Sequence, residues 1–127
     1  MTVEQSLAPD IEVPADPELL EQALQNLATN AVKYNHAGGL IRFELARDGN
    51  RVLVRVANTG PGIPEADRER VFERFYRADK SRSGRVEGVG LGLSLAREIV
   101  RAHGGELASE SGDDNLTRFV ITLPTNA

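Results

Sequence analysis

The 127-residue chain has no cysteine, which excludes disulfides and thiolate-bound metals. No stretch approaches the roughly 20 apolar residues of a membrane span. Met1 to Pro14 is mixed and polar, without the apolar core of a signal peptide. There are no internal repeats and no low-complexity tract. Histidine is scarce too: only His36 and His103. Net charge is −4 with a pI near 5.2, a balance that argues against general nucleic-acid binding. These features imply one soluble intracellular domain, large enough to bury a core without staples.

The charge is uneven. Arg74, Arg77, Lys80, Arg82 and Arg85 face only one acid, Asp79, over 74–85, so this segment is +4 and the remainder −8. A lone charge run is usually a solvated loop. This one lies between two glycine-rich segments, Asn58-Thr59-Gly60-Pro61-Gly62-Ile63 and Gly88-Val89-Gly90-Leu91-Gly92-Leu93, about 26 residues apart. That position favours a polyphosphate contact. Glycine tolerates positive φ and lets backbone N–H groups approach an anion closely. The second segment opens a helix, whose positive end adds to the effect. Neither matches the P-loop, and Gly88-Val89-Gly90-Leu91-Gly92 is not the dinucleotide fingerprint after a strand.

Periodicity supplies the frame. Residues 11–13 read as a short edge strand. Asp16-Pro17-Glu18 reads as a helix start, with an N-cap acceptor, proline at N1 and an acid in the first turn. Apolar residues at 19, 20, 23, 24, 27, 28, 31 and 32 carry that helix to about Tyr34. His36-Ala37-Gly38-Gly39 turns the chain. Ile41, Phe43 and Leu45 alternate with polar neighbours, Asp48-Gly49-Asn50 is a hairpin turn, and Val52, Val54 and Val56 form the return face. A second helix is expected over Glu65–Tyr76, with Val71, Phe72 and Phe75 apolar. A third is expected from near Gly90 to His103, burying Leu91, Leu95, Ala96, Ile99 and Val100, with Gly104 at C′. Strands at about 106–111 and 117–123 flank a turn at Gly112–Asn115. The expected fold is α+β: about three helices on one face of a mixed, mostly antiparallel sheet of about five strands.

Within the first helix, Gln22, Asn26, Asn30 and Lys33 form a polar stripe beside the apolar one. Such a stripe is often a solvated flank. Two asparagines inside a helix are mildly unfavourable, however, and a local rule broken twice points to function. An asparagine oxygen is a hard, neutral ligand suited to Mg²⁺ on a nucleotide. A lysine one turn on can place a charge on phosphate.

Taken together these segments resemble the ATP-binding catalytic domain of two-component sensor histidine kinases. The wider group is the GHKL superfamily (Bergerat fold), shared with type II topoisomerases and large heat-shock chaperones. The likeness covers about residues 11–124. Gln25–Tyr34 resembles the N box, Val56–Pro64 the G1 box, Val71–Arg77 the F box and Gly88–Leu93 the G2 box.

The resemblance implies roles. Asn30 would ligate Mg²⁺, Asn26 would assist at the phosphates, and Lys33 would contact phosphate. Tyr34 would lie against the adenine, Asn58 would face its amino group, Gly60 and Gly62 would shape the base pocket, and Ile63 and Phe75 would also belong to the cofactor site. Residues 77–89 would form an ATP lid. Arg74 or Arg77 would reach the γ-phosphate. Gly88, Gly90 and Gly92 would bring the next helix's N-terminus to the phosphates, and Val89, Leu91 and Leu93 between and after them would also belong to the cofactor site.

Two departures stand out. The usual G1 residue is Asp, and here it is Asn58. Its oxygen still accepts a hydrogen bond, but without charge assistance, so adenine binding is expected to be weaker yet present. The turn Gly112-Asp113-Asp114-Asn115-Leu116 also lacks the glycine often found before the last strand.

In the superfamily's true ATPases a Glu one turn before the Mg²⁺ asparagine activates water. Asn26 stands there and cannot act as a general base. The resemblance therefore implies slow hydrolysis and transfer of the γ-phosphate to a histidine on a separate dimerisation domain, normally in the same polypeptide. A response regulator would follow indirectly. His36 and His103 lack the acidic context of the acceptor helix. His103 is expected to meet a helix C-terminus, and His36 to be exposed. The chain is thus expected to be a catalytic module of a longer kinase, at the cytoplasmic end of a membrane-bound sensor and itself monomeric. Two alternatives remain: a nucleotide-gated interaction module without transfer, and a Ser/Thr kinase acting on a small regulator. The run Glu73–Lys80 favours the histidine kinases over the latter.

Overall fold

Asp16 starts the first helix as its sequence requires. In the computed structural model its side-chain Oδ1 accepts hydrogen bonds from the N–H groups of Glu18 (3.0 Å) and Leu19 (3.2 Å). These satisfy two donors that a helix N-terminus otherwise leaves without partners. The structure describes residues 2–7, 11, 13–33, 35, 37–60, 66, 68–73, 92–110 and 116–125. In chain order the elements are β1 (Thr2–Leu7), α1 (Pro17–Lys33), β2 (Leu40–Asp48), β3 (Arg51–Asn58), a 3-10 turn (Arg70–Phe72), α2 (Gly92–Ala102), β4 (Glu106–Glu110) and β5 (Thr117–Pro124).

The strands form one five-stranded sheet in the order β1-β2-β3-β5-β4. β1 runs parallel to β2; the other pairs are antiparallel. Phe43, Val56 and Phe119 lie in register across the three central strands. On that face Ile41, Val56, Phe119, Ile121, Leu107 and Leu123 meet the buried stripes of the two helices: Ala23, Leu27 and Ala31 of α1, and Ala96, Ile99 and Val100 of α2. Phe72, in the 3-10 turn, closes the cluster with its ring edge-on to Phe119 at 5.9 Å and 78°. The fold is the expected two-layer α+β arrangement, with two α-helices among the described residues.

α2 ends as its glycines dictate. Gly104 takes the left-handed conformation (φ 79°), its N–H donates to the Arg101 carbonyl, and Gly105 N–H reaches back to the Val100 carbonyl. This is a Schellman stop. His103 then ties the helices together. Its Nε2 accepts from the Asp16 N–H at 3.0 Å. The ring proton therefore sits on Nδ1, which donates to the Ile99 carbonyl at 2.8 Å. The helix-end role is met by a direct hydrogen bond, and the same ring fixes the start of α1.

Three expectations are corrected. The edge strand is Thr2–Leu7, and Ile11 and Val13 lie outside any strand. Every β1 residue is exposed, so no buried face marks it in the sequence. The helix over 65–76 does not run through Glu73, whose backbone is extended (φ −73°, ψ 147°); Val71 and Phe72 are buried from a single 3-10 turn. Leu95 is exposed rather than part of the α2 stripe, while Leu93 packs against the core. The turn at 112–115, His36 and the rest of 65–76 (save Ala66 and 68–73) lie outside the described residues.

Candidate nucleotide-binding site

Asn26, Asn30 and Lys33 share one side of α1 because they are spaced at four and three residues along a regular helix. Lys33 occupies the last turn, where a cation also complements the helix dipole. The packing of α1 on α2 places Asn26 against the first residue of α2. A Cβ added to Gly92 would lie 4.0 Å from both Cβ and Cγ of Asn26. The Asn26 Nδ2 is fully buried with no hydrogen-bond partner. A buried amide N–H left without an acceptor costs about 1–3 kcal/mol. An anion at the α2 N-terminus would offer it an acceptor.

Asn58 is the last residue of β3 and is buried, with 2% of its surface exposed. Its Nδ2 donates to the Thr59 carbonyl at 2.8 Å, which leaves Oδ1 as the acceptor it can offer. Gly60 follows with φ 156°. Asn58 pairs with Ile41 on one side and Thr117 on the other, so the sheet holds its backbone in place.

A cluster that the sequence analysis did not single out joins this strand end to the end of α1. Thr59 N–H donates to the Leu40 carbonyl (3.0 Å), and Leu40 N–H donates to Thr59 Oγ1 (2.9 Å). The Thr59 hydroxyl in turn donates to Asn35 Oδ1, and Asn35 Nδ2 donates to the Leu40 carbonyl (3.0 Å). Gly39 makes room for this contact: a Cβ there would lie 1.9 Å from Asn35 Oδ1 and 2.4 Å from Thr59 Oγ1. The visible signal was the position of Asn35, just after the N-box stretch, and of Thr59, inside the first glycine loop.

Arg97 braces the opposite side. Its guanidinium lies 4.5 Å from the Phe72 ring centroid and pairs with Glu69 at 2.9 Å and Glu106 at 3.2 Å. The 3-10 turn, α2 and β4 are thereby held together. Arg101 also bonds Glu106, and these hydrogen bonds hold the Glu106 carboxyl at a pKa of about 2, with partial burial opposing the shift.

Of the residues expected at the site, the structure brings Asn26 and Gly92 together and sets Asn58 and Gly60 at the strand end clamped to the end of α1. Asn30 and Lys33 lie along the same helix, and Leu93 enters the core. Tyr34, Gly62, Ile63, Arg74, Phe75, Arg77, Gly88, Val89, Gly90, Leu91 and the 77–89 segment lie outside the described residues. Among the described residues, no three His, Cys, Asp or Glu gather to hold a metal, and no helix is long and apolar enough to cross a membrane.

The described part of the site is an α+β sheet with a buried asparagine at one strand end and an unpartnered buried amide facing the first residue of α2. The profile of the histidine kinase-, DNA gyrase B- and HSP90-like ATPases matches residues 15–127, and the chain belongs to this family. The sensor histidine kinase WalK of Bacillus subtilis is 39% identical over 117 residues, 91% of this chain and 19% of that protein. The adaptive-response sensory kinase SasA of a Synechococcus strain is 49% identical over 113 residues, 88% of this chain and 29% of that protein. The chain thus spans under a third of these relatives. The solved mycobacterial sensor histidine kinase MprB superimposes with a TM-score of 0.84 at 31% identity, covering 98% of this chain and 82% of that one. Full-length ShkA, solved in complex with AMPPNP, gives 0.77 at 34% identity, covering 96% and 25%.

Proposed function

We propose that the chain binds Mg·ATP and transfers its γ-phosphate to a histidine on a separate dimerisation domain in a two-component signalling protein. The observation that carries this is the buried, unpartnered Asn26 amide against Gly92 at the α2 N-terminus, in a chain of this family. AMPPNP binding by ShkA supports it by analogy. The Asn58 Oδ1 accepts the adenine amino group, with Tyr34, Gly60, Gly62, Ile63 and Phe75 around the base. Asn26 donates to phosphate, and Lys33 places its charge there. Asn30 would supply a neutral oxygen to Mg²⁺. When bound, the metal neutralises phosphate charge. Arg74, Arg77 and the 77–89 lid serve the γ-phosphate side, and Gly88–Leu93 the phosphates. Catalysis in such a transfer is positioning and charge stabilisation. Asn26 cannot take a proton from water near pH 7, so hydrolysis is slow and ATP is held for the acceptor. The site works at the cytoplasmic end of a sensor kinase, with the response regulator downstream.

The test supplies a cognate dimerisation domain with γ-labelled ATP. Acid-labile label on its histidine, lost in Asn30→Ala, supports the proposal. Tight binding without transfer supports instead a nucleotide-gated interaction module, which the uncharged Asn58 also suits.

A further inference from the structure

Asn58 can discriminate adenine only if its side chain is held in place, and its own sheet neighbours fix the backbone alone. The contacts beyond Asn58 are unusual. The β2–β3 ladder is extended one step past the Ile41–Asn58 pair by a side chain, with Leu40 N–H donating to Thr59 Oγ1 rather than to a carbonyl. That hydroxyl donates to Asn35 Oδ1, with the Leu40 carbonyl a longer second acceptor at 3.4 Å, and Asn35 Nδ2 closes the ring on the same carbonyl. The Thr59 carbonyl is in turn the acceptor for Asn58 Nδ2. One continuous chain of hydrogen bonds therefore runs from Asn35, two residues beyond α1, through Thr59 to the Asn58 amide. Gly39 is the residue whose missing side chain admits it.

We infer that Asn35 and Thr59 are positioning residues for base selection. Their hydrogen bonds fix the Thr59 peptide, the Thr59 carbonyl fixes the Asn58 amide with Nδ2 inward, and Oδ1 is thereby the group shown to the base. Adenine offers an amino donor at that position and guanine a carbonyl acceptor, so an amide locked in this sense accepts the first and repels the second. An amide free to turn over would present Nδ2 to guanine. This rests on the Mg·ATP reading above and adds to it two residues and a specificity.

The experiment measures affinities of the 127-residue chain for ATP and GTP, each with Mg²⁺, by titration calorimetry, with a thermal melt on every variant. The parent prefers ATP. Thr59→Val keeps the shape and removes the hydroxyl; Asn35→Ala removes the other partner. Each lowers the ATP-to-GTP affinity ratio about tenfold, mainly through ATP, and Thr59→Ser restores the ratio lost in Thr59→Val. A merely structural role would lower the melting temperature and both affinities in parallel, leaving the ratio unchanged. An unchanged ratio in whichever of the two variants remains folded overturns the inference while the nucleotide reading stands. A folded parent that binds neither nucleotide overturns that reading itself, and the inference with it.

Discussion

Gly92→Ala separates the packing of the two helices from the use made of the space between them. Gly92 lies in the helical backbone of α2, a conformation alanine adopts freely. Its new Cβ would stand 4.0 Å from Asn26 Cβ and Cγ, an ordinary van der Waals distance. The substitution thus carries no steric cost among the described residues. Helix propensity favours alanine by up to about 1 kcal/mol in a helix interior, and by less at the first turn. With roughly 2 cal/mol/K of unfolding entropy per residue, 1 kcal/mol corresponds to about 4 °C for a chain of this size. The melting temperature should therefore stay level or rise by up to about 4 °C. Nucleotide binding should respond in the opposite sense. The methyl group occupies the approach to the α2 N–H groups and to the buried Asn26 amide, where the phosphates are proposed to sit. A loss of at least about tenfold in Mg·ATP affinity, near 1.4 kcal/mol, is expected. Calorimetric titration beside a thermal melt reads both quantities. An alanine variant that melts like the parent and binds ATP equally well would refute the placement of phosphate at this helix end. A variant that unfolds would refute the packing argument.

Other outcomes follow from the same contacts. Leu27 is fully buried between α1 and the sheet, so Leu27→Ala should cost about 3 kcal/mol, near 10 °C in melting temperature. The Glu106 carboxyl, held at about 2 by Arg101 and Arg97, has a lower pKa folded than unfolded. Its contribution is present above pH 4.5 and is lost as pH falls toward 2. Because the side chain is half exposed, solvent screening reduces this to about 1 kcal/mol or less. Glu106→Gln should therefore be less stable than the parent at pH 7 and equal to it near pH 2, as read by urea melts across that range. Asn58→Asp would set a buried carboxylate against the Thr59 carbonyl, which now accepts from Nδ2 at 2.8 Å. The ligand-free variant should lose about 1–3 kcal/mol in urea melts at pH 7, and undiminished stability would show that this bond does not hold the amide.

Much of the frame was legible in the residues. The α1 period, its Asp16 cap and the Gly104 stop are local signals, and each appears in the structure where the sequence puts it. The β2–β3 hairpin was legible through alternation and its Asp48-Gly49-Asn50 turn, and β4 and β5 pair antiparallel as expected. β1 was not. Thr2–Leu7 alternates only weakly, with Gln5 between Val3 and Leu7, is exposed throughout, and pairs in parallel with residues 38 positions away. The stretch around Val71 and Phe72 misled because two adjacent apolar residues fit a helix or a single turn equally well. What decides is tertiary: Phe72 edge-on to Phe119, with Arg97 over its ring. At the site, the placing of Asn26, Asn30 and Lys33 along one helix could be read directly. The Asn35–Thr59 clamp could not, since it joins residues 24 positions apart through side chains whose local sequence says only loop.

The most direct test of the whole account is titration of the folded chain with ATP, with and without Mg²⁺, in the parent and in Asn30→Ala. Saturable binding is expected in the parent, strengthened by Mg²⁺, with that strengthening lost in Asn30→Ala. No heat with ATP at millimolar concentration, on protein that melts cooperatively, would contradict it.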